Sequence, residues 1–550
     1  MISKRFSDFL VEGIKHNWNT KALSDYKGTK LSYREIAKRI AIIQFVFEAA
    51  GMKKGDKVAL VGKNSAHWGV VYLASVLSEM VIVPILPDFK VEAVEHIINH
   101  SESRLLFASE QMRNAIKANN IPGIEAIFSI EDLDVVSTAN ESIMKACSDK
   151  ESLFKKKYPN GFSAEAFVID PVDNSKIAVI SYTSGTSGRS KGVMLSHNSL
   201  AANMQFAQHN MPLKSGDDIV SFLPLAHAFG CAFEFLFPFT LGCHITFLTK
   251  TPSPQIIMQA FKVVRPRLIL SVPLVIEKIY KKQIVPLLEK KSIRMMMKIP
   301  GVNQLLYFKI RRKLVKVFGG NFTELVVGGA ALNRETERFF RKIGFPFTVG
   351  YGMTECGPLI SYTGWKTFKL ESAGKTVDTM QARIDSDDPQ HIEGEILVKG
   401  ENVMNGYFKN QKATDEVLEN DGWLHTGDMG LIDQDGMIFI KGRVKNMILG
   451  ASGQNIYPEE IESVINTRQL VLESVVVEEN GKIVAMVVPD LEVMRARRLS
   501  KERLPGIFEF YRKETNKKLP VYMQVSKFIV HEDEFEKTPK KSIKRYMYVD

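Results

Sequence analysis

Residues 181–192 read SYTSGTSGRSKG and follow directly on the apolar run 177–180, IAVI. Glycines leave backbone N–H groups free to face an anion, hydroxyls add donors and a lysine supplies charge, so the stretch reads as a phosphate-holding loop at a strand end. The P-loop pattern G-x-x-x-x-G-K-[ST] does not fit, because Lys191 follows Gly188 by three residues and is itself followed by Gly192. A kinase glycine-rich loop fails as well. A Ser/Gly linker has no reason to lie between a buried strand and the helix start Ser196-His197-Asn198. The expected order is therefore strand, loop, lysine, helix, with Thr183, Ser184, Gly185, Thr186, Ser187, Gly188 and Lys191 as candidate phosphate contacts.

The surrounding chain repeats this texture. Short apolar runs at 57–62 (KVALVG), 81–85 (VIVPI) and 104–108 (RLLFA) alternate with helix-period segments such as 66–79. Similar runs recur at 219–223, 244–248, 267–272, 324–327 and 347–350, most of them followed at once by glycine or proline. That alternation predicts an α/β fold with parallel or mixed sheets flanked by helices, and polar loops at strand ends are where such sheets bind ligands. After Gly394 the pattern turns β-rich (GEILVKG, then GMIFIKGR), and SVVVEENGKIVAMVV predicts a hairpin turning at Asn480-Gly481. A boundary near Gly442 to Lys445 divides a large domain, 1–443, from a small mobile α+β domain, 444–550.

Composition narrows the function classes. With 550 residues, 45% of them hydrophobic, the chain is long enough for two or more domains. The first residues carry charge every few positions and no apolar core, so no secretion signal is read there. The apolar stretch 225–248 approaches the length of about 20 residues that a membrane span needs, but it contains His227, Glu234, Pro238, Gly242 and His244 and reads as a buried segment. Cys147, Cys231, Cys243 and Cys356 form no C-x-x-C pair, which fits reduced thiols and a cytoplasmic setting. Much of the net charge of +11 is local: residues 278–316 are rich in lysine and arginine, interleaved with Leu, Ile, Met and Phe, against the single acid Glu289. Such a run is a solvated face, or it is drawn to an anionic membrane surface or a polyanionic ligand. No zinc-finger or RNP-type signature accompanies it, which argues against nucleic acid.

Seven stretches, taken together, decide the class. YTSGTSGRSKG is followed in order by LPLAHAFG, VVGGAAL, YGMTECGP, GWLHTGD, GRVKNMI and GQNIYPEEIE. In sequence and spacing this resembles the adenylate-forming ligases: acyl- and aryl-CoA synthetases, peptide-synthetase adenylation domains and firefly-type luciferases. The resemblance implies a two-step reaction in which a carboxylate attacks the α-phosphorus of ATP and a thiol then displaces AMP. The loop at 181–192 would hold the β- and γ-phosphates. Glu355 is implied as the Mg²⁺ ligand, with Thr354 a phosphate contact; Gly329, Ala330 and Ala331 border adenine, on which Tyr351 stacks. By the same resemblance Asp428 would take the ribose hydroxyls with help from Arg443, and His227 would lie beside the carboxylate and the thioester channel. Lys445 would be the pivot of the small domain, and the stretch beginning after Gly453 would line the path of the coenzyme A thiol. SVPLVIEKIYKK and the basic helical stretch after it are most similar to long-chain fatty acyl-CoA synthetases, with the apolar wall CAFEFLFPF suited to a greasy tunnel. An acyl carrier protein is the alternative acceptor.

Two features are read against metal or nucleophile roles. His96 and His100 lie four apart without a third ligand and are expected at the surface; Cys356 has no neighbouring base and is expected to pack. One motif departs from the family. Where it usually reads T-P-x-G-K-I-x-R this chain has KTPKKSIKR, placing Ser542 at the lysine position and Lys541 where glycine is usual. Lys541 is thereby the candidate replacement cation, and a chain that binds acyl groups and nucleotide with weakened catalysis is the remaining alternative.

Overall fold

The computed structural model describes residues 2–183, 190–250, 252–288, 290–450, 454–538 and 543–548. A seven-stranded sheet runs in the order Val135–Thr138, Ala126–Ser129, Ser103–Ala108, Lys57–Val61, Val81–Ile85, Ile177–Thr183, Lys191–Ser196. Its inner pairings are parallel and both outermost pairings antiparallel. The inner strands are nearly continuous apolar runs, because crossover helices cover both faces. One of these helices, Ala66–Leu77, is buried at every position but His67, and Ser65 caps it by accepting from the Trp68 N–H at 3.1 Å.

The last strand of this sheet corrects the expected order. Lys191–Ser196 is not loop but a strand, paired antiparallel with Ile177–Thr183 from Thr183↔Lys191 to Ile177↔Ser196. Val193 and Leu195 are buried, an alternation too short to stand out beside a glycine-rich loop. The helix His197–Asn210 then starts where expected, with the Ser196 hydroxyl accepting from Ser199 N–H.

Two smaller sheets follow: Asp218–Ser221, His244–Phe247, Lys21–Asp25 and Lys30–Ser32, parallel except for the antiparallel last pair, then the all-parallel Leu268–Ser271, Glu324–Val327 and Phe347–Val349. The segment 225–248 is largely buried: Phe233, Phe235, Phe237 and Phe239 are fully so, and Phe235 packs against Trp68, Tyr72, Phe239 and Phe247. No helix among the described residues is long and apolar enough to cross a membrane. These phenylalanines fill the core rather than line a channel, which narrows the tunnel wall expected of CAFEFLFPF to its smaller side chains. The part of that segment that meets open space is Cys231, Ala232 and Leu236, against a cavity of about 20 Å³.

An antiparallel sheet follows, Met380–Asp385, Gly394–Gly400, Leu424–Ile432 and Ile438–Arg443. Beyond it Ile456, Ile461, Val471, Val487 and Phe508 build a core separate from the main one. There Val471–Glu479 and Lys482–Pro489 form the expected hairpin; Asn480 and Gly481 have φ of 52° and 74°, the left-handed pair a type I′ turn requires. Lys527–Val530 adds to the hairpin in parallel.

Candidate active site

The candidate residues gather where the parallel strands end. Asp428 and Arg443 are directly opposed across the pair Leu424–Ile432 and Ile438–Arg443, and Arg443 Nε reaches Asp428 Oδ1 at 2.8 Å. The Tyr351 hydroxyl donates to Asp428 Oδ2 at 2.7 Å. Burial pushes the Asp428 carboxyl above the usual range; Arg443 and Tyr351 pull it down, and the carboxylates Glu459 and Glu355 push it further up. A carboxylate so placed is an acceptor fixed on both sides, while the Arg443 side chain remains half exposed toward any ligand. His425 of the same motif turns the other way, 2.8 Å from Glu395 and 2.9 Å from Glu419, whose hydrogen bonds hold its imidazole above the ordinary pKa.

Glu355 sits in the short turn Thr354–Cys356, half-buried like Thr354. Its Oε1 accepts from the Tyr407 hydroxyl at 2.9 Å, and its carbonyl accepts from Met404 N–H at 2.8 Å. Lys191 Nζ lies 4.6 Å from the centre of the same Tyr407 ring. Tyr407 thus joins the lysine of the first motif to the acid of the YGMTECGP motif. Asn203 fixes that turn from beneath, accepting from Leu359 N–H at 3.1 Å and donating to the Cys356 carbonyl at 3.4 Å. Gly357 is needed there, since a Cβ would stand 2.2 Å from Ser199 Oγ at a φ of 62°.

His227 is half-buried and lines the small cavity together with Ser181, Cys231 and Gly357. Phe229, two residues on, packs its ring against Gly328, so this segment abuts the GGAAL turn. Gly329, Ala330 and Ala331 are exposed at the end of Glu324–Val327, with Gly329 at φ 83°. Thr183 ends its strand half-buried, and Lys445 is exposed in the turn Val444–Asn446. The expected contacts Ser184, Gly185, Thr186, Ser187, Gly188, Gly453 and Lys541 lie outside the described residues.

Among the described residues no three metal-ligating side chains cluster. His96 is exposed, and His100 is half exposed with its Nδ1 2.7 Å from the Tyr182 hydroxyl. Cys356 is fully buried, as packing requires, and all four cysteines are free thiols.

Most of the chain is matched by two family models, which leave out residues 409–444. The AMP-binding enzyme model covers residues 12–408, and the AMP-binding enzyme C-terminal domain model covers 445–550. The chain belongs to the AMP-binding enzyme family. It is 28% identical over 485 residues to long-chain-fatty-acid–CoA ligase FadD15 of Mycobacterium bovis, covering 83% of this chain and 76% of that one. It is 29% identical over 531 residues to the peroxisomal long chain acyl-CoA synthetase 7 of Arabidopsis thaliana, covering 88% and 74%. In fold it is similar to ATP-bound MatB from Rhodopseudomonas palustris (TM-score 0.76, 24% identity, 99% and 98% covered). The anthranilate CoA ligase AuaEII in complex with anthranoyl-AMP gives 0.78 at 18% identity, with 100% and 97% covered. The fold is therefore that of an adenylate-forming enzyme, a large N-terminal part and a small C-terminal one.

Tyr407 and Glu459 were not read from the sequence. Tyr407 lies 52 residues from Glu355, and its only local sign is the preceding Gly406 at φ 112°. Glu459 belongs to a quoted motif, GQNIYPEEIE, yet its approach to Asp428 depends on how Pro458–Ile465 packs against Ile438–Arg443.

Proposed function

We propose that this chain is an ATP-dependent long-chain fatty acid:CoA ligase, forming an acyl-adenylate and then acyl-CoA with release of pyrophosphate and AMP. The observation that carries the reading is Tyr407, whose hydroxyl binds Glu355 while Lys191 stands over its ring, because it brings two phosphate-side motifs to one place. In this reading Lys191 and the residues before it hold the departing pyrophosphate, and Asp428 with Arg443 holds the ribose. Tyr351 fixes Asp428 and borders the base with Gly329, Ala330 and Ala331. His227 stands at the junction between the nucleotide side and the Cys231 cavity, where the carboxylate must lie.

Glu355 suits a hard cation. Mg²⁺ takes one or two carboxylates and completes its shell with phosphate oxygens and water. Glu355 is a half-buried carboxylate, linked through Tyr407 to the phosphate-side lysine, and supplies a donor of that kind. Held there with the nucleotide, Mg²⁺ would supply charge neutralisation on the phosphates. The division into 1–443 and 444–550, with Lys445 as the pivot, belongs to the same proposal. So does an intracellular enzyme that touches a membrane from one side.

Two acceptors are separable by experiment. AMP formation is measured across a panel of carboxylic acids with CoA, then with a phosphopantetheinylated carrier protein. Long-chain acids with CoA should give the highest rate. A carrier-only response would move the chain to the acyl carrier protein ligases, and binding of ATP and acid without AMP would support the weakened relative that Ser542 raises.

A further inference from the structure

The helical stretch after Leu268–Ser271 presents a face unlike the rest of the molecule. Residues 290–316 contain nine lysines and arginines and no acid. Two helices, Lys291–Met296 and Val302–Val317, carry most of them and are in contact with each other. The longer helix turns Leu306, Tyr307, Ile310 and Leu314 into the core, and Ile293 and Met297 anchor the shorter one. What remains outward alternates cations with large apolar side chains. Met295 is 70% exposed, Ile299 50%, Leu305 58% and Phe308 49%, with Met296 at 40%. Lys290, Lys291, Lys298, Lys309, Arg312 and Lys313 are exposed around them, and none forms an ion pair with a described acid.

A solvated charged face explains the cations and leaves the rest unexplained. Elsewhere on this surface lysines and arginines pair with neighbouring acids, as Arg512 and Lys513 do with Glu509. Here every acid is missing and five large apolar side chains fall within 14 residues, 295–308. Nucleic acid would use the charge and have no partner for methionine, isoleucine and leucine. A bilayer uses both: apolar side chains enter about 5–10 Å to the headgroup boundary while lysines and arginines reach lipid phosphates by snorkelling.

We propose that residues 290–316 form the surface by which this protein docks on an anionic lipid bilayer, with Met295, Met296, Ile299, Leu305 and Phe308 inserted and the surrounding cations on the headgroups. This names the face for the one-sided membrane contact proposed above and is independent of which acid is activated. Helix Pro273–Gln283 begins after Val272, whose Cγ1 is 3.7 Å from where a Cβ on Gly329 would stand, and packs on Val285–Leu288, which in turn contacts Lys291–Met296.

The test is vesicle flotation of the full chain without ATP, acid or CoA, so that its outcome does not depend on catalysis. Phosphatidylcholine vesicles holding about a third phosphatidylglycerol should carry the protein at low salt, and pure phosphatidylcholine should carry far less. Each cation contributes about fivefold to such binding, so Lys309→Glu/Arg312→Glu/Lys313→Glu should weaken it at least a hundredfold. Lys513→Glu/Lys517→Glu/Lys518→Glu, on another face, should weaken it far less. Insertion is read separately: the emission of Leu305→Trp should shift to the blue on adding the anionic vesicles. The proposal is overturned if the wild type does not float, if the two triple variants lose binding equally, or if the Leu305→Trp emission does not move.

Discussion

Arg334 and Glu460 form an ion pair at 2.9 Å that ties the segment after the GGAAL turn to the helix Pro458–Ile465. Beside it Asn333 Nδ2 donates to the Ser463 carbonyl at 3.0 Å, and Lys518 pairs with Glu335 at 2.6 Å. If the C-terminal part pivots at Lys445, this contact exists in one arrangement and not in the other. Arg334→Ala should then change the ratio of pyrophosphate-forming to thioester-forming rates. A partly exposed pair contributes up to about 1 kcal/mol, so the expected change is about fivefold. The swap Arg334→Glu/Glu460→Arg should restore it. An unchanged ratio in both variants would make the pair irrelevant to the pivot.

Glu355→Gln should abolish turnover while leaving the fold intact. The amide can still accept from Tyr407, but it lacks the charge that a phosphate-bound cation requires. Losing such an electrostatic contact costs about 3 kcal/mol of barrier, hence roughly a hundredfold in rate. Tyr407→Phe keeps the ring under Lys191 and removes one hydrogen bond to a carboxylate, about 1.5–3 kcal/mol, so its loss should be smaller and show mainly in the response to Mg²⁺-ATP. Ordinary activity of Glu355→Gln at ordinary Mg²⁺ removes the residue from the site.

Acid should unfold this protein partly through His197. The ring is buried against Phe6, neither nitrogen has a hydrogen-bond partner among the described residues, and burial lowers its pKa to about 4. The unfolded chain takes up that proton near pH 6.5, before the folded one does, so stability falls as pH drops from about 6.5 to 4. The loss is on the order of 3 kcal/mol, because each tenfold difference in proton affinity between the two states is worth about 1.4 kcal/mol. Urea midpoints across this window should flatten in His197→Phe; an equally steep pH dependence in the variant would assign the acid limb to other groups.

The sequence was readable wherever one local pattern decides the outcome. Val81–Ile85, Glu324–Val327 and Gly394–Gly400 begin and end at the expected residues, since each is an apolar run closed by a turn. Lys191–Ser196 was missed because its pairing with Ile177–Thr183, not its own composition, makes it a strand. In the candidate site, the motifs named Asp428, Arg443, Tyr351 and Glu355. The hydrogen bond from Tyr407 to Glu355 is set by tertiary packing and leaves no local trace. The phenylalanines of CAFEFLFPF show the limit from the other side: an apolar run does not reveal whether it lines a channel or fills a core.

KTPKKSIKR spans residues 537–545. Residues 539–542 lie outside the described set, but both flanks are held. Lys537 pairs with Glu473 at 2.9 Å and bridges to Ile543, while Arg545 grips Glu462 through two bonds of 2.7 Å. Arg545 is thereby committed to the C-terminal core and is a poor candidate for the cation that adenylation requires. Ser542, at the usual lysine position, cannot supply charge to a carboxylate attacking a phosphate. Lys541 is adjacent, yet neighbouring side chains on an extended segment point to opposite faces, so it serves only if the segment is shifted by one residue. Lys541→Ala should therefore depress acyl-adenylate formation about a hundredfold, some 3 kcal/mol, while sparing thioester formation from supplied acyl-adenylate. Lys540→Ala and Ser542→Ala should do much less. Normal adenylation in all three variants would place the cation elsewhere, and AMP formation by Ser542→Lys but not by the wild type would make this chain a binding relative of the ligases.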